Sequence, residues 1–436
     1  MRSPPQESVL SIDFSLDRLD VGLQDGSGEW LWPHRAYPNN WPGFLALKQE
    51  LLAALGQQAA SLTVLGESTG LYWWHTYQQV AHDSELAAFD PQLLFLNPAH
   101  VKHFRKALPE RDKTDMLDVA LIARYYQATG SQEPQTMDNR YGRLRFLSRA
   151  YNRLIHTLAA EKAFCQATLY IAASEYQRRR PFSNVFGATS QKVLEGYPDV
   201  AMLADMPLHE LVDQLNVFSQ GKLSDPRDNA QKLQQVAQDS FPLPDELANI
   251  VQTILQHTLE LVRFLENHKK TYRHLLEQEL ARFPEAKLAL AEPGLGPVLV
   301  SGCLSEIGDT RRFTTGSKWD QRRKRYRPRT YRDGQAAVAK LAGLWWPRRD
   351  SGRSQAEERR LSRERNPYLR FWFVQAANSL RRYRDDYAAY YHRKCRESNK
   401  HAHKRAQVLT ARKAVRLVFA LLHKGQRHCL EEVADR

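Results

Sequence analysis

Ser11-Ile12-Asp13-Phe14-Ser15 decides the reading, because here an apolar run, Val9 to Asp13, closes on a carboxylate at the end of the first predicted β-strand. A second run, Leu62 to Leu65, ends the same way in Leu65-Gly66-Glu67-Ser68-Thr69-Gly70. Carboxylates at strand ends project where a sheet meets solvent, so two such strands side by side bring Asp13 and Glu67 to one edge. Further on, Lys113-Thr114-Asp115-Met116-Leu117-Asp118 opens an amphipathic helix expected over Lys113 to Tyr126, with Asp112 as its cap. The i, i+3 spacing puts Asp115 and Asp118 on one face. Four carboxylates gathered in one place repel each other unless divalent cations neutralise them, and hard oxygen ligands of this kind suit Mg2+ or Mn2+. Two such ions about 4 Å apart serve to activate an attacking oxygen and to stabilise a leaving one at a phosphodiester.

Around these acids the pattern predicts an α/β region. Val21 to Leu23 and Trp30 to Trp32 flank the turn Asp25-Gly26-Ser27-Gly28, which suggests a hairpin. Trp41 to Leu55 and Leu71 to Ala81 read as helices and Leu93 to Leu96 as a strand, giving a mixed sheet covered by helices. From Pro98 on, helices take over. Tyr141 to Tyr176 reads as one long helix, stopped near Arg178-Arg179-Arg180-Pro181, and residues 182 to 228 as shorter helices and loops. Leu247 to Phe283 has apolar steps mostly of three and four, the pattern of a coiled coil or a long bundle helix. Its apolar seam serves either dimerisation or packing on the chain's own Tyr141 to Tyr176 helix.

The 436 residues suit two or three domains, and 42% hydrophobic with 26% charged residues is ordinary globular usage, which excludes wholesale disorder. No apolar window is long enough to span a membrane, and the polar, proline-containing start is unlike a signal peptide, so the expectation is a soluble protein with no membrane partner. Cys165, Cys303, Cys395 and Cys429 stand far apart, which fits structural thiols in a reducing cytosol.

Charge is strongly asymmetric. Up to Thr310 there are 29 Lys and Arg against 37 Asp and Glu, net −8; beyond it there are 34 against 12, net +22. A field of that sign attracts polyanions, and nucleic acid leads over an acidic membrane because no basic amphipathic stretch with an apolar face is evident. The most basic stretch runs from Trp319 to Arg332, with Arg322, Arg323, Lys324, Arg325, Arg327 and Arg329 interleaved with aromatics and no helical period. Phosphate contact plus stacking is the natural use of such a composition. Upstream, Pro293-Gly294-Leu295-Gly296-Pro297 feeds a helix over Val298 to Ile307, and its Gly294 and Gly296 resemble the phosphate-approaching turn of helix-hairpin-helix modules.

The order strand-Asp13, strand-Glu67, helix Asp115-x-x-Asp118 is the layout of an RNase H-like or RuvC-like nuclease core. The chain resembles the insertion sequence one-ten (IS-one-ten) transposases and the related pilin-gene invertases. In the C-terminal part Pro293-Gly294-Leu295-Gly296, Glu306-Ile307-Gly308-Asp309, Arg312-Phe313, Leu341-Ala342-Gly343-Leu344, Pro347 and Ser351-Gly352 follow that family's signature. The resemblance implies three parts: a RuvC-like DEDD domain over 1–130, a helical coiled-coil region with an insertion over 131–285, and a mainly α, basic transposase domain over 286–436. It implies an enzyme that cuts and rejoins double-stranded donor and target DNA, with Mg2+ or Mn2+ on Asp13, Glu67, Asp115 and Asp118. Ser351 is then the nucleophile of a phosphoserine-DNA intermediate. Arg348, Arg349 and Arg353 flank it as a phosphate clamp.

Further implications of the resemblance are a structured noncoding bridge RNA, a homo-oligomer (dimer or tetramer) and a prokaryotic, cytoplasmic, nucleoid-associated setting. The chain departs from the family in Arg365-Asn366-Pro367-Tyr368-Leu369-Arg370, where Gly-Asn-x-x-Leu-Arg is common, and in a longer basic stretch between Phe313 and Ala336. Ser354 and Ser362 compete with Ser351, and one helix is expected over Asn366 to Tyr391. Two other functions stay open at this level: a junction-resolving nuclease that uses water, and a noncatalytic nucleic-acid scaffold.

Overall fold

A computed structural model describes residues 7–56, 61–67, 70–108, 114–129, 138–320, 323–347, 350–351, 354–355, 361–362 and 365–434. The chain divides into two compact units, Met1–Gly142 and Arg143–Arg436.

The first unit carries β1 (Glu7–Phe14), β2 (Arg18–Gln24), β3 (Trp30–Pro38), α1 (Trp41–Leu55), β4 (Ser61–Glu67), α2 (Trp74–His82), β5 (Gln92–Leu96), α3 (Pro98–Ala107) and α4 (Asp115–Thr129). The strands form one mixed sheet in the order β3-β2-β1-β4-β5. β2 runs antiparallel to both of its neighbours, β1 and β3, whereas β4 and β5 run parallel to β1.

Alternation along the strands assigns residues to the two faces. Leu10, Ile12 and Phe14 of β1, Leu19, Val21 and Leu23 of β2, and Leu62 and Val64 of β4 lie in one core with Phe44, Leu47 and Leu51 of α1 and Tyr77 and Val80 of α2. Each of these side chains contributes roughly 1.5–3 kcal/mol through burial. The opposite face holds a smaller core in which Leu65 and Leu94 meet Val101 of α3 and Leu121, Ile122 and Tyr125 of α4. By parity Asp13, Asp20 and Glu67 belong to this second face, the one α4 covers.

The second unit is mostly helical. α5 (Asn139–Ala172) leads into α6 (Tyr176–Arg179), α7 (Ala188–Gly196), α8 (Leu208–Ser219), α9 (Pro226–Asp239) and the 36-residue α10 (Asp245–Leu280). Leu194, Leu211, Leu215 and Leu233 of the shorter helices close on Leu169 of α5 and on Leu255 and Leu259 of α10. Beyond that core α10 packs on α5 of the same chain, with Leu158 against Val262 and Leu265 and the ion pairs Lys162–Glu266 and Arg143–Glu279 alongside. This is the intramolecular alternative allowed by the seam.

The remainder comprises α11 (Lys287–Leu290), α12 (Pro297–Ile307), β6 (Ser317–Asp320), β7 (Arg325–Pro328), α13 (Tyr331–Leu341), β8 (Asp350–Ser351), β9 (Ser354–Gln355), α14 (Pro367–Tyr383), α15 (Asp385–Arg396) and α16 (Ala402–Ala434). Three features depart from the sequence reading. The helix expected over Asn366 to Tyr391 is two helices, because Arg384 is extended (φ −137°, ψ 121°) and its guanidinium bonds Glu292 and Asp386, while Asp385 and Asp386 favour a fresh helix start. The basic stretch forms a two-stranded ribbon, β6 with β7. The long α16 was not foreseen; its seam of Ala411, Val415, Val418, Phe419 and Leu422 is buried.

Candidate functional site

Small residues set where α4 sits. A methyl group at Gly22 of β2 would come within 2.6 Å of both Val119 Cγ1 and the Trp30 ring, so the missing side chain is what lets α4 settle on the sheet. Gly66 does the same on the other face, where an added Cβ would strike the Phe14 ring at 2.3 Å and the Tyr77 hydroxyl at 2.8 Å. Tyr77 donates to the Leu94 carbonyl at 3.1 Å, and its ring packs with Phe14 and Phe95 beneath the strand ends. These contacts fix the ends of β1 and β4 and the first turn of α4. Thr114 caps that turn, its Oγ1 accepting from the Leu117 N–H; Asp112, the expected cap, lies outside the described residues, as does Lys113.

The acids follow from this frame. Asp13 lies opposite Asp20 in the β1–β2 register, and Glu67 comes one step after Gly66, the partner of Ile12. Asp115 and Asp118 stand in the first turn of α4, where the helix dipole favours negative charge. Asp118 is buried and Asp13 half-buried. Burial pushes the Asp13 carboxyl above its ordinary value; Asp118 and then Asp20 push the same way, the Phe14 backbone N–H opposes, and Asp115 adds a smaller push upward. Asp13, Asp20, Asp115 and Asp118 therefore form one electrostatic cluster.

Cations already answer part of that charge. Arg18 pairs with Asp20 at 3.0 Å and also with Asp115, and Arg105 of α3 pairs with Asp118. His34 Nε2 lies 2.8 Å from Asp20 Oδ1. The donor chemistry, hard carboxylate oxygens under mutual repulsion, fits a divalent cation. In this arrangement, however, no three His, Cys, Asp or Glu side chains among the described residues are disposed to hold an ion. Asp20 lies before the strand that the sequence predicts from Val21, whereas β2 begins at Arg18; the alternation Leu19-Asp20-Val21-Gly22-Leu23 is its signal.

In the second unit, Ser351 lies in the short ribbon of β8 and β9, opposite Ser354, with Asp350 opposite Gln355. Its turn, Gly352 and Arg353, and Arg348, Arg349 and Arg322 lie outside the described residues. The segment that carries Ser351 is closed at its base: the Ser362 N–H donates to the Trp345 carbonyl at 3.1 Å and the Asn366 N–H to the Leu341 carbonyl at 2.7 Å. Arg370 of α14 ties both ends together, donating to the carbonyls of Ala342, Gly343 and Ser362. Ser362 is buried.

The signature residues Glu306 and Asn366 meet inside the unit. Glu306 receives two hydrogen bonds from Arg149 and one from Asn366 Nδ2 at 2.7 Å, while Asn366 caps α14. Gly294, at φ +90°, packs against the backbone of Ser379 and Leu380, so an added Cβ would meet α14 at 3.2 Å. Gly296 caps α12 and has open space where a Cβ would stand. Arg323, Lys324 and Arg325 are exposed, Arg329 is half-buried, and Arg327 is committed to Asp333. Among the described cysteine side chains, Cys165 and Cys303 are buried and all three are free thiols. No described helix is long and apolar enough to cross a membrane.

Two protein-family models match the chain. One, of DEDD transposases of the IS110 type, matches residues 10–172, and the other, described as "Transposase IS116/IS110/IS902 family", matches residues 328–392. No curated protein matches the chain. The first match spans the whole acid cluster and the second ends within α15 after taking in Ser351 and Arg370. A RuvC-like DEDD domain fits the first, and the two together support an IS110-family transposase and hence a DNA transposase or recombinase function.

Proposed function

We propose that this IS110-family transposase cleaves and rejoins DNA with two groups of its own residues: the carboxylates of Asp13, Glu67, Asp115 and Asp118 as the holders of Mg2+ or Mn2+, and Ser351 as the nucleophile. The observation that carries the reading is the meeting of carboxylates on one face of the sheet, Asp13 opposite Asp20 with Asp115 and Asp118 in the first turn of α4, an arrangement that a cation relieves. Divalent cations held there supply charge neutralisation and polarisation of a phosphodiester oxygen. Asp115 and Asp118, paired here with Arg18 and Arg105, would hold such cations in place of those pairs, and the two guanidinium groups would then be available to phosphates.

In the transfer step the Ser351 hydroxyl loses its proton and forms a P–O bond to the scissile phosphate. The sugar oxygen leaves and takes up a proton. Rejoining reverses both events with a new sugar hydroxyl, so the phosphodiester is conserved through a phosphoserine link. Arg370 supports this role for Ser351 because it fixes both ends of the segment that presents the serine. Arg348, Arg349 and Arg353 are the phosphate clamp, and the positive C-terminal segment takes donor DNA, target DNA and a structured noncoding bridge RNA.

The enzyme works as a homo-oligomer. Leu247, Ile250, Ile254, Leu261, Phe264 and Leu275 of α10 are exposed and fall on one three-and-four-residue repeat, with His257 and His268 filling two of its steps. That stripe is distinct from the Val262 and Leu265 side buried on α5, and it supports a coiled-coil seam between copies.

The test is strand cleavage of end-labelled element DNA. With Mg2+ the wild-type chain yields a protein-DNA adduct on denaturing gels that Ser351→Ala abolishes; Asp13→Asn lowers cleavage by about a hundredfold or more, and chelation removes it. Full cleavage by Ser351→Ala overturns the serine step in favour of attack by water, and full cleavage after chelation overturns the metal site.

A further inference from the structure

The basic ribbon has two unlike faces. Its register pairs Ser317 with Pro328, Lys318 with Arg327, Trp319 with Tyr326 and Asp320 with Arg325. Alternation therefore puts Trp319 and Tyr326 on one side and Lys318, Asp320, Arg325 and Arg327 on the other. The charged side is the anchored one. Lys318 Nζ donates to Asp333 Oδ1 at 2.8 Å, and Arg327 makes two hydrogen bonds to the same carboxylate, at 2.6 and 3.0 Å. Asp333 in turn completes the capping box of α13 with Thr330. The Arg327 guanidinium, against the opposing push of burial, holds the Asp333 carboxyl far below the usual carboxylate range. The Arg329 N–H to the Gly316 carbonyl, 3.0 Å, closes the ribbon's base.

Anchoring by that side leaves the aromatic side facing water. Trp319 is 47% exposed and Tyr326 69%, their ring centroids 5.1 Å apart and their planes 69° to each other, edge to face. Arg323 and Lys324 stand exposed at the turn next to them, and residues 317–332 carry eight Lys and Arg against one Asp. Charge complementarity selects a polyanion, and two presented rings select a flat partner. A base in an intact duplex has both faces covered by its neighbours, so only an unpaired or unstacked base offers one.

We propose that this ribbon captures an unpaired DNA base: one ring of the Trp319–Tyr326 pair stacks on it while the other meets its edge, and Arg323 and Lys324 at the turn take the flanking phosphates. The proposal rests on DNA being the substrate of the recombination reading, and it adds a recognition element for distorted or opened DNA outside the acid cluster. Stacking on an aromatic tolerates any base, so the ribbon reads the state of the helix rather than its sequence.

The experiment uses the full-length chain without divalent cations and a DNA duplex bearing one bulged 2-aminopurine. Wild type quenches the probe and binds the bulged duplex more tightly than the perfect one. Trp319→Ala and Tyr326→Ala lose the quenching and weaken bulge binding by roughly ten- to a hundredfold, while Tyr326→Phe retains both. Because both residues lie on the surface, unchanged melting of the variants separates loss of stacking from loss of fold. Alanine variants that quench and bind as wild type does overturn the proposal, as does tighter binding of an RNA of the same sequence. A wild type that captures the base but never cuts element DNA in Mg2+ overturns the recombination reading and leaves the ribbon's role standing; one that cuts, with alanine variants still quenching, does the reverse.

Discussion

Arg149 holds Glu306 by two parallel hydrogen bonds, 2.7 and 2.9 Å long, and Glu306 is 2% exposed. The guanidinium also lies over the Tyr368 ring at 4.6 Å, so α5, α12 and α14 meet at one charge pair. Removing Arg149 strands a buried carboxylate. Arg149→Met is expected to lower stability by about 3 kcal/mol, the low end for a broken buried pair because the arginine keeps 37% exposure. The double variant Arg149→Met with Glu306→Gln recovers part of the loss, and denaturant titration of both variants checks it.

Arg370 is a positioning residue for Ser351. Arg370→Ala is expected to keep overall melting close to wild type but to open the segment between Ala342 and Ser362, since three carbonyls lose their donor at once. Limited proteolysis then cuts between those residues. Adduct formation falls, and Arg370→Lys, which cannot span the same carbonyls, restores neither.

The acid cluster predicts a graded metal response. Asp13→Asn is expected to lower cleavage by about a hundredfold or more, since even outer-sphere partners of a metal are worth 10- to 100-fold. Asp20→Asn, which leaves Arg18 and His34 without their shared carboxylate, is expected to raise the Mg2+ concentration needed for half-maximal cleavage without abolishing it. Equal activity of Asp20→Asn at every Mg2+ concentration would detach Asp20 from the site.

His423 makes folding of the second unit sensitive to pH. Burial lowers its ionisation from the ordinary value near 6.5, Arg427 adds to this, and Asp309 opposes it. Its Nδ1 lies 2.9 Å from Thr310 Oγ1, and the Phe419 ring stacks on it. The folded chain then binds fewer protons than the unfolded one below pH 6.5, so this contribution is complete above that value and is lost as pH falls through the lowered folded value. His423→Gln is expected to flatten the pH dependence of the melting temperature below about pH 6.5.

The exposed stripe on α10 gives the oligomer its test. Leu261→Glu with Phe264→Glu is expected to leave the α5–α10 packing intact, because Val262 and Leu265 face that contact instead. Light scattering then reports a lower assembly mass at unchanged helicity. An unchanged mass moves the seam elsewhere.

Much of the first unit was legible because period-two alternation states which residues share a face of the sheet. The strands expected over Val9–Asp13 and Leu62–Leu65 and the helix expected over Lys113–Tyr126 match β1, β4 and α4 to within three residues at their ends. Asp20 precedes the apolar run at Val21 that marks the strand in the sequence, and no local pattern announces the ion pairs that Arg18 and Arg105 make across elements. The ribbon at Ser317–Pro328 was hidden by its composition: arginines dominate both strands, and its anchor, Asp333, belongs to the next helix. The break at Arg384 depends on Glu292, some ninety residues earlier, which no window could connect.

Gly22 lies at no strand end and carries no chemistry, yet it fixes the height at which α4 rides. An alanine there meets Val119 of α4 and Trp30 of β3 at 2.6 Å each, so one of the two must give way before the helix can keep its height over the sheet. The seat of the helix that bears Asp115 and Asp118 thus depends on a position recognisable only by what it lacks.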